Sequence, residues 1–207
     1  MIDLLPIHLT ARRGNWQRFV ARRAQANKAF HAAKEKIFAR DENTCRYCGF
    51  YSLEYQELVN IDQNYANNTF DNLATACSFC TQCFFLDGIG MDGKTGGLVI
   101  HLPEISQADL NHFCRAVFCS LLRDPPYKGK LSAMLLTLQD RGQSVESVFG
   151  PSAQEPMMFG QSLIDSQLTD EQLSHPIFSE LRLLPARKYF KDQAEYWKIN
   201  QFSHIPL

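Results

Sequence analysis

The chain has 207 residues, of which 45% are hydrophobic and 21% charged, with 21 basic and 22 acidic residues and a net charge of −1. That is near the size of one domain and apolar enough for a real core, and its near-neutral balance argues against a protein that coats DNA, which needs concentrated positive charge. No apolar run approaches the roughly 20 residues that span a bilayer, and the first basic residues follow the mildly apolar stretch Met1 to Ala11, the reverse of a secretory leader. A cytoplasmic chain with no direct membrane insertion is therefore expected.

Residues 12–40 predict one long helix. The segment is Ala-rich, and no Pro falls between Ala11 and Arg40. Trp16, Phe19 and Val20 begin an apolar face that Phe30, Ala33 and Ile37 continue at helical spacing. Its basic residues face a single acid, Glu35. They read as a solvated face or as a docking surface for an acidic partner.

Residues 40–85 hold the strongest motif. The cysteine count is seven, an odd number, and two pairs have Cys-x-x-Cys spacing: Cys45 with Cys48 and Cys77 with Cys80. In a reducing compartment such pairs read as metal ligands, not disulfides. Each two-residue spacer turns both sulfurs to one side of a knuckle, and two knuckles complete the tetrahedral S₄ shell that Zn²⁺ accepts. One structural Zn²⁺ per chain is expected on Cys45, Cys48, Cys77 and Cys80. Gly49 supplies the left-handed turn residue that knuckles favour. Cys83 is an alternative to Cys80 as the fourth ligand, Cys114 falls on an apolar stripe, and Cys119 is assigned no role. Tyr47, Phe50, Tyr51, Phe79, Phe84 and Phe85 surround the cysteines. Most should pack the knot onto helices, and any left exposed would suit a partner.

Gly88-x-x-x-x-Gly93-Lys94-Thr95 formally fits a phosphate-binding loop. Such a loop needs a buried strand before it and a helix after it, whereas a cysteine-rich segment precedes this one and a strand follows. Nucleotide binding is not expected. Residues 91–102 predict a hairpin with Gly93, Gly96 and Gly97 in the turn and Leu98–Leu102 as a strand.

A helix over 106–122 follows. Ser106 and Asp109 suit its cap, and Leu110, Phe113, Cys114, Val117, Phe118, Leu121 and Leu122 form a buried stripe. Leu131–Leu138 predicts another helix, and 142–168 is mixed. Pro176 opens a short helix through Leu184 that Pro185 stops, and a last amphipathic helix runs from Ala186 to Asn200. The class is α+β and mostly helical. Residues 1–207 read as a single domain, with a zinc-bearing ββα module at 40–85 embedded between helices and a mostly helical remainder at 91–207.

The stretch Arg40 to Phe84 resembles the zinc-containing HNH, or ββα-metal, nucleases. Arg40-Asp41, Cys45 to Gly49, Ile61-Asp62-Gln63-Asn64, Asp71-Asn72-Leu73 and Cys77 to Cys80 follow that family's order. The resemblance implies a ββα zinc unit but not the chemistry. Where the family has its metal-binding His, its general-base His and a late metal-binding His, this chain has Val59, Asn60 and Thr81. Valine has no donor atom and asparagine has no titratable group near neutrality. Without metal or base, phosphodiester cleavage loses its nucleophile and its charge stabilisation. A non-catalytic, degenerate module is therefore expected. The competing readings are an active HNH-type endonuclease and a zinc-stabilised nucleic-acid-binding module that uses the basic segment 12–40.

The whole chain is similar to the IcmJ/DotN family of the Dot/Icm type IVB secretion system. The degenerate unit at 40–84, the Gly96-Gly97-Leu98 strand and the segment Leu102 to Asn111 leading into an Arg-Ala-Val-Phe helix carry that likeness. It implies a cytoplasmic assembly subunit, peripheral at the inner membrane through its partner. Such a subunit binds the cytoplasmic tail of the coupling ATPase, works beside other coupling-complex subunits and helps present effectors for export.

Overall fold

The computed structural model describes residues 4–25 and 28–204. Helices dominate, and two small antiparallel sheets complete an α+β architecture.

The cysteine-bearing part is built on a hairpin. Strand β1 (Gln56–Asn60) pairs with β2 (Leu73–Cys77) in a register running from Gln56 opposite Cys77 to Asn60 opposite Leu73. A short helix, α3 (Ser78–Gln82), follows β2 without a break. The loop joining the strands is held by short polar side chains, which readily bond to nearby backbone. Asp62 Oδ1 accepts from the Asn64 amide and from Asn72 Nδ2, and Asn72 Oδ1 accepts from the Asp62 amide.

Two helices precede the hairpin, α1 (Asn15–Gln25) and α2 (Lys28–Arg40). The single helix predicted over 12–40 is therefore corrected at its start, where Arg12 and Arg13 lie outside α1, while its middle falls on residues 26 and 27, outside the described residues. Trp16 and Phe19 of α1 are buried against Phe85, with ring centroids 5.8 and 4.5 Å away. The indole lies so close to Gly88 that a Cβ there would sit 2.2 Å from it. Val20, predicted to share this face, is exposed. On α2, Ile37 joins Leu58 and Leu73 in a small separate cluster against the hairpin.

The second sheet overturns a local expectation. Strand β3 (Gly97–His101) does not fold back on residues 91–95. It pairs antiparallel with β4 (Leu181–Pro185), 80 or more positions on. Residues 176–184, read as a helix, split into a one-turn helix, α9 (Pro176–Ser179), and that strand. A hairpin at 91–102 would have paired Gly-rich chain with little to bury, whereas β4 sets Leu183 opposite Val99 and Leu184 opposite Leu98, and Val99, Ile100, Leu181, Leu183 and Leu184 are all buried.

Helix α4 (Gln107–Leu121) begins at the predicted cap. The Ser106 side chain accepts from the Asp109 amide, and the Asp109 side chain answers from N3. It packs against β4 and against the last helix, α10 (Lys191–Asn200). At the centre of the main core, Phe79 meets Phe118, Phe190 and Trp197 edge-on at 5.9, 4.7 and 5.4 Å. Each such ring taken fully out of water contributes about 1.5–3 kcal/mol. An outer layer comprises α5 (Lys128–Asp140), α6 (Gly142–Phe149), α7 (Pro156–Ser166) and α8 (Asp170–Leu173). No residue of α5 is fully buried.

Candidate metal centre

The first knuckle is a tight loop closed by its own backbone. The Cys45 amide donates to Phe50 O at 2.9 Å, the Gly49 amide donates to Cys45 O at 2.8 Å, and Gly49 has a φ of 72°. A side chain would strain that position. The Arg46 amide donates to Thr75 O on β2 and so ties the loop to the hairpin. The second knuckle forms where β2 runs into α3, with Cys77 as the last strand residue and Cys80 inside the helix.

The sulfurs of Cys45, Cys48, Cys77 and Cys80 lie within 4.8 Å of one another, and all four residues are buried. Cys48 Sγ and Cys77 Sγ are 3.6 Å apart. A disulfide needs about 2.05 Å. A tetrahedral S₄ shell with metal–sulfur bonds of about 2.3 Å has edges of about 3.8 Å. The donor set thus fits a tetrahedral thiolate metal ion. Burial pushes the thiols of Cys45 and Cys80 well above the ordinary range. Burial opposes ionisation at Cys77 as well, but hydrogen bonds from the other three thiols and the charge of Arg115 hold it well below that range. Four thiolates this close repel one another, and a divalent cation is what lets all four ionise together.

Cys83 stands apart. Its thiol donates to Phe79 O at 3.4 Å, and burial raises it well above the ordinary range. Cys114 and Cys119 are buried on α4, and Cys119 donates to Ala194 O.

The side chains around the sulfurs come from α4, which spacing of the cysteines does not announce. Asn111 Nδ2 donates to Cys80 Sγ at 3.3 Å, and Arg115 Nη2 donates to Cys77 Sγ at 3.3 Å. His112 Nε2 lies 2.6 Å from Cys48 O, and its Nδ1 lies 3.4 Å from Arg115 Nη1. A guanidinium only donates, so Nδ1 accepts and Nε2–H donates to the carbonyl. Gln107 anchors the row by donating to Asn111 Oδ1 and to Leu183 O and accepting from the Leu183 amide. The sequence signal for this row is Asn111 and Arg115 at i and i+4, polar residues on a helix otherwise full of core positions.

Val59 and Asn60, towards the other end of the hairpin, and Thr81, beside Cys80 in α3, are the positions read as lacking histidines, and all three are closed to solvent. Val59 is fully buried in the main core. Asn60 is 1% exposed, and its Oδ1 accepts from Arg22 Nη1 at 2.6 Å. The same guanidinium reaches Asn68 Oδ1 and Leu58 O and lies over the Tyr65 ring. Thr81 is 5% exposed, and no partner is present for its hydroxyl among the described residues. Asn72 serves the loop. Part of the basic segment is thus spent internally: Arg22 here, Arg23 at 3.5 Å from Glu57, and Arg40 paired with Asp41.

Of the aromatics around the cysteines, Tyr47, Phe50, Phe79, Phe84 and Phe85 are buried, and Tyr51 is 49% exposed. The loop Gly88 to Thr95 is followed by β3, with no helix to meet a phosphate. No helix among the described residues is long and apolar enough to cross a membrane.

No protein-family model matches the chain. The sequence is 40% identical over 199 residues to the type 4 apparatus protein DotN of Legionella pneumophila, an alignment covering 96% of this chain and 92% of that protein.

Proposed function

The chain belongs to the DotN family of type 4 apparatus proteins, and from that premise we propose that it is a non-catalytic, zinc-stabilised adaptor of a type IVB secretion coupling complex. The observation that carries this is the 40% identity across nearly the whole length. In this reading Cys45, Cys48, Cys77 and Cys80 hold one structural Zn²⁺, which contributes fold and no chemistry: four sulfur ligands leave no open position for water or substrate. Residues 1–207 act as a single domain, because the core around Phe79 joins the cysteine knot to α4 and α10.

The β1–β2–α3 unit is a degenerate HNH-like module. Its order of strand, loop, strand and helix supports that reading, and so does the chemistry at its far end. A guanidinium on Asn60 sets a positive charge where a nuclease needs a divalent cation and a base, which favours neither. The partner is the cytoplasmic tail of the coupling ATPase, with other coupling-complex subunits beside it, and the chain is cytoplasmic and peripheral at the inner membrane through that partner. Tyr51, Leu53 and Tyr55 stand exposed at 49, 60 and 39% on the loop after the first knuckle and offer apolar anchors next to the zinc unit.

Calorimetry of the full chain against the ATPase tail tests the reading, repeated at raised salt. Binding that largely survives salt is expected of apolar anchoring. Binding abolished by salt would move the contact to the basic segment 12–40. No binding to any tail fragment would remove the adaptor reading. Supercoiled plasmid incubated with Mg²⁺, Mn²⁺ or Ni²⁺ should stay intact.

A further inference from the structure

We propose that Arg115 is the counter-ion and positioning residue of the cysteine centre, so that the metal is held by α4 as well as by its two knuckles. This rests on the metal reading of the four cysteines. Arg115 is 0% exposed, and a buried guanidinium without a counter-charge is strongly destabilising. Among the described residues no carboxylate pairs with it. Its polar contacts are Cys77 Sγ at 3.3 Å and His112 Nδ1 at 3.4 Å. Among the described residues, the one source of negative charge within its reach is the sulfur cluster.

The balance works in both directions. Four thiolates around a divalent ion leave a net charge of about −2, and Arg115 halves it inside a site that water does not reach. In return the cluster removes the cost of burying the guanidinium. The plane of the guanidinium is set by aromatic faces, with its central carbon 3.6 Å from the Phe50 ring centroid and 5.1 Å from that of Trp197. Phe50 belongs to the first knuckle and Trp197 to α10, so the charge sits at the junction of the module and the helical remainder. The neighbouring Asn111 amide aims a second N–H at Cys80. Both sulfurs of the second knuckle therefore receive a hydrogen bond from one helix, the outer-shell pattern that orients ligands and tunes a metal.

The test is competition of the full chain with a zinc chelator, reading the zinc dissociation constant, in wild type, R115M and R115K. R115M keeps the packing and deletes the charge, and its zinc affinity should fall about 10–100-fold. R115K keeps the charge without the planar fork and should lie between wild type and R115M. R115M as tight as wild type, or R115K as weak as R115M, would overturn the counter-ion role. A second measurement needs no variant: in wild-type chain loaded with ¹¹³Cd, NMR should correlate the metal with an Arg115 guanidinium proton across Cys77 sulfur. Its absence, with backbone N–H to sulfur correlations present, overturns the proposal even where R115M fails to fold. Wild-type chain that takes up neither zinc nor cadmium removes the metal reading, and this proposal with it.

Discussion

The two ends of the β1–β2 hairpin have had opposite fates. At the Cys77 end, four sulfurs converge in a buried site ringed by donors from α4. At the Asn60 end, a guanidinium from α1 donates to Asn60 Oδ1 and to the neighbouring Leu58 carbonyl. At both ends a guanidinium meets the hairpin, although Arg115 is fully buried and Arg22 only partly so. The difference lies in what the guanidinium faces. Arg115 faces soft, ionisable sulfurs that a metal would hold as thiolates. Arg22 faces a neutral amide and carbonyls, which can only accept its hydrogen bonds. One hairpin thus carries a convergent sulfur cluster at one end and a hydrogen-bonded, uncharged amide at the other.

The largest expected effect breaks the first end. Cys48→Ser or Cys77→Ser should abolish zinc binding and leave unstable protein, because structural zinc contributes on the order of 10 kcal/mol to folding such units, comparable to a domain's whole net stability. Cys83→Ser, which removes only a thiol bonded to Phe79 O, should be far milder. Equal damage by thermal unfolding would mean that Cys83 is a ligand.

Breaking the second end should cost less. Arg22→Ala leaves Asn60 Oδ1 and Leu58 O without their charged donor and should destabilise by about 2–3 kcal/mol. Asn60→His, alone or with Arg22→Ala, should still give no plasmid cleavage, since Val59 and Thr81 supply no metal ligands. Metal-dependent cleavage by any of these proteins would show that the reactive end survives.

A third experiment sharpens the comparison at the seam between the ends. Asp41 is 3% exposed and accepts two hydrogen bonds from Arg40 and one from the Thr75 amide. Burial alone would raise its carboxyl, but those bonds outweigh it and hold the group below the ordinary carboxylate value. A depressed folded value means that the stabilisation is complete above the unfolded value of about 3.9 and is lost only as pH falls through the folded one. Asp41→Asn should therefore cost about 2 kcal/mol at pH 7, with the same gap from wild type across pH 5 to 8 in denaturant titrations. A gap that widens or closes within that window would contradict the assignment. The smallest effect on stability belongs to Tyr51→Ala, under about 0.5 kcal/mol for an exposed side chain. The same change should weaken binding of the ATPase tail, and unchanged affinity would remove Tyr51 as an anchor.

Much of this was legible because it is local. Cys-x-x-Cys spacing predicts which sulfurs converge, and Ser106 with Asp109 predicts the start of α4. The β3–β4 pairing was not, since Gly97 and Pro185 are far apart in sequence and Leu181 to Leu184 read equally well as one turn of helix. Arg22 and Arg115 were invisible for a related reason. A charge on a helix is by default a solvated one, and only tertiary packing shows that one bonds Asn60 at the end of β1 and the other faces the sulfurs.

Metal analysis of the purified full chain, paired with a thermal scan before and after chelation, tests the account most directly. About one zinc per chain, with cooperative unfolding lost or shifted sharply downward when the metal is stripped, is the predicted result. Folded protein that carries no zinc and unfolds at the same temperature with and without chelator would contradict it.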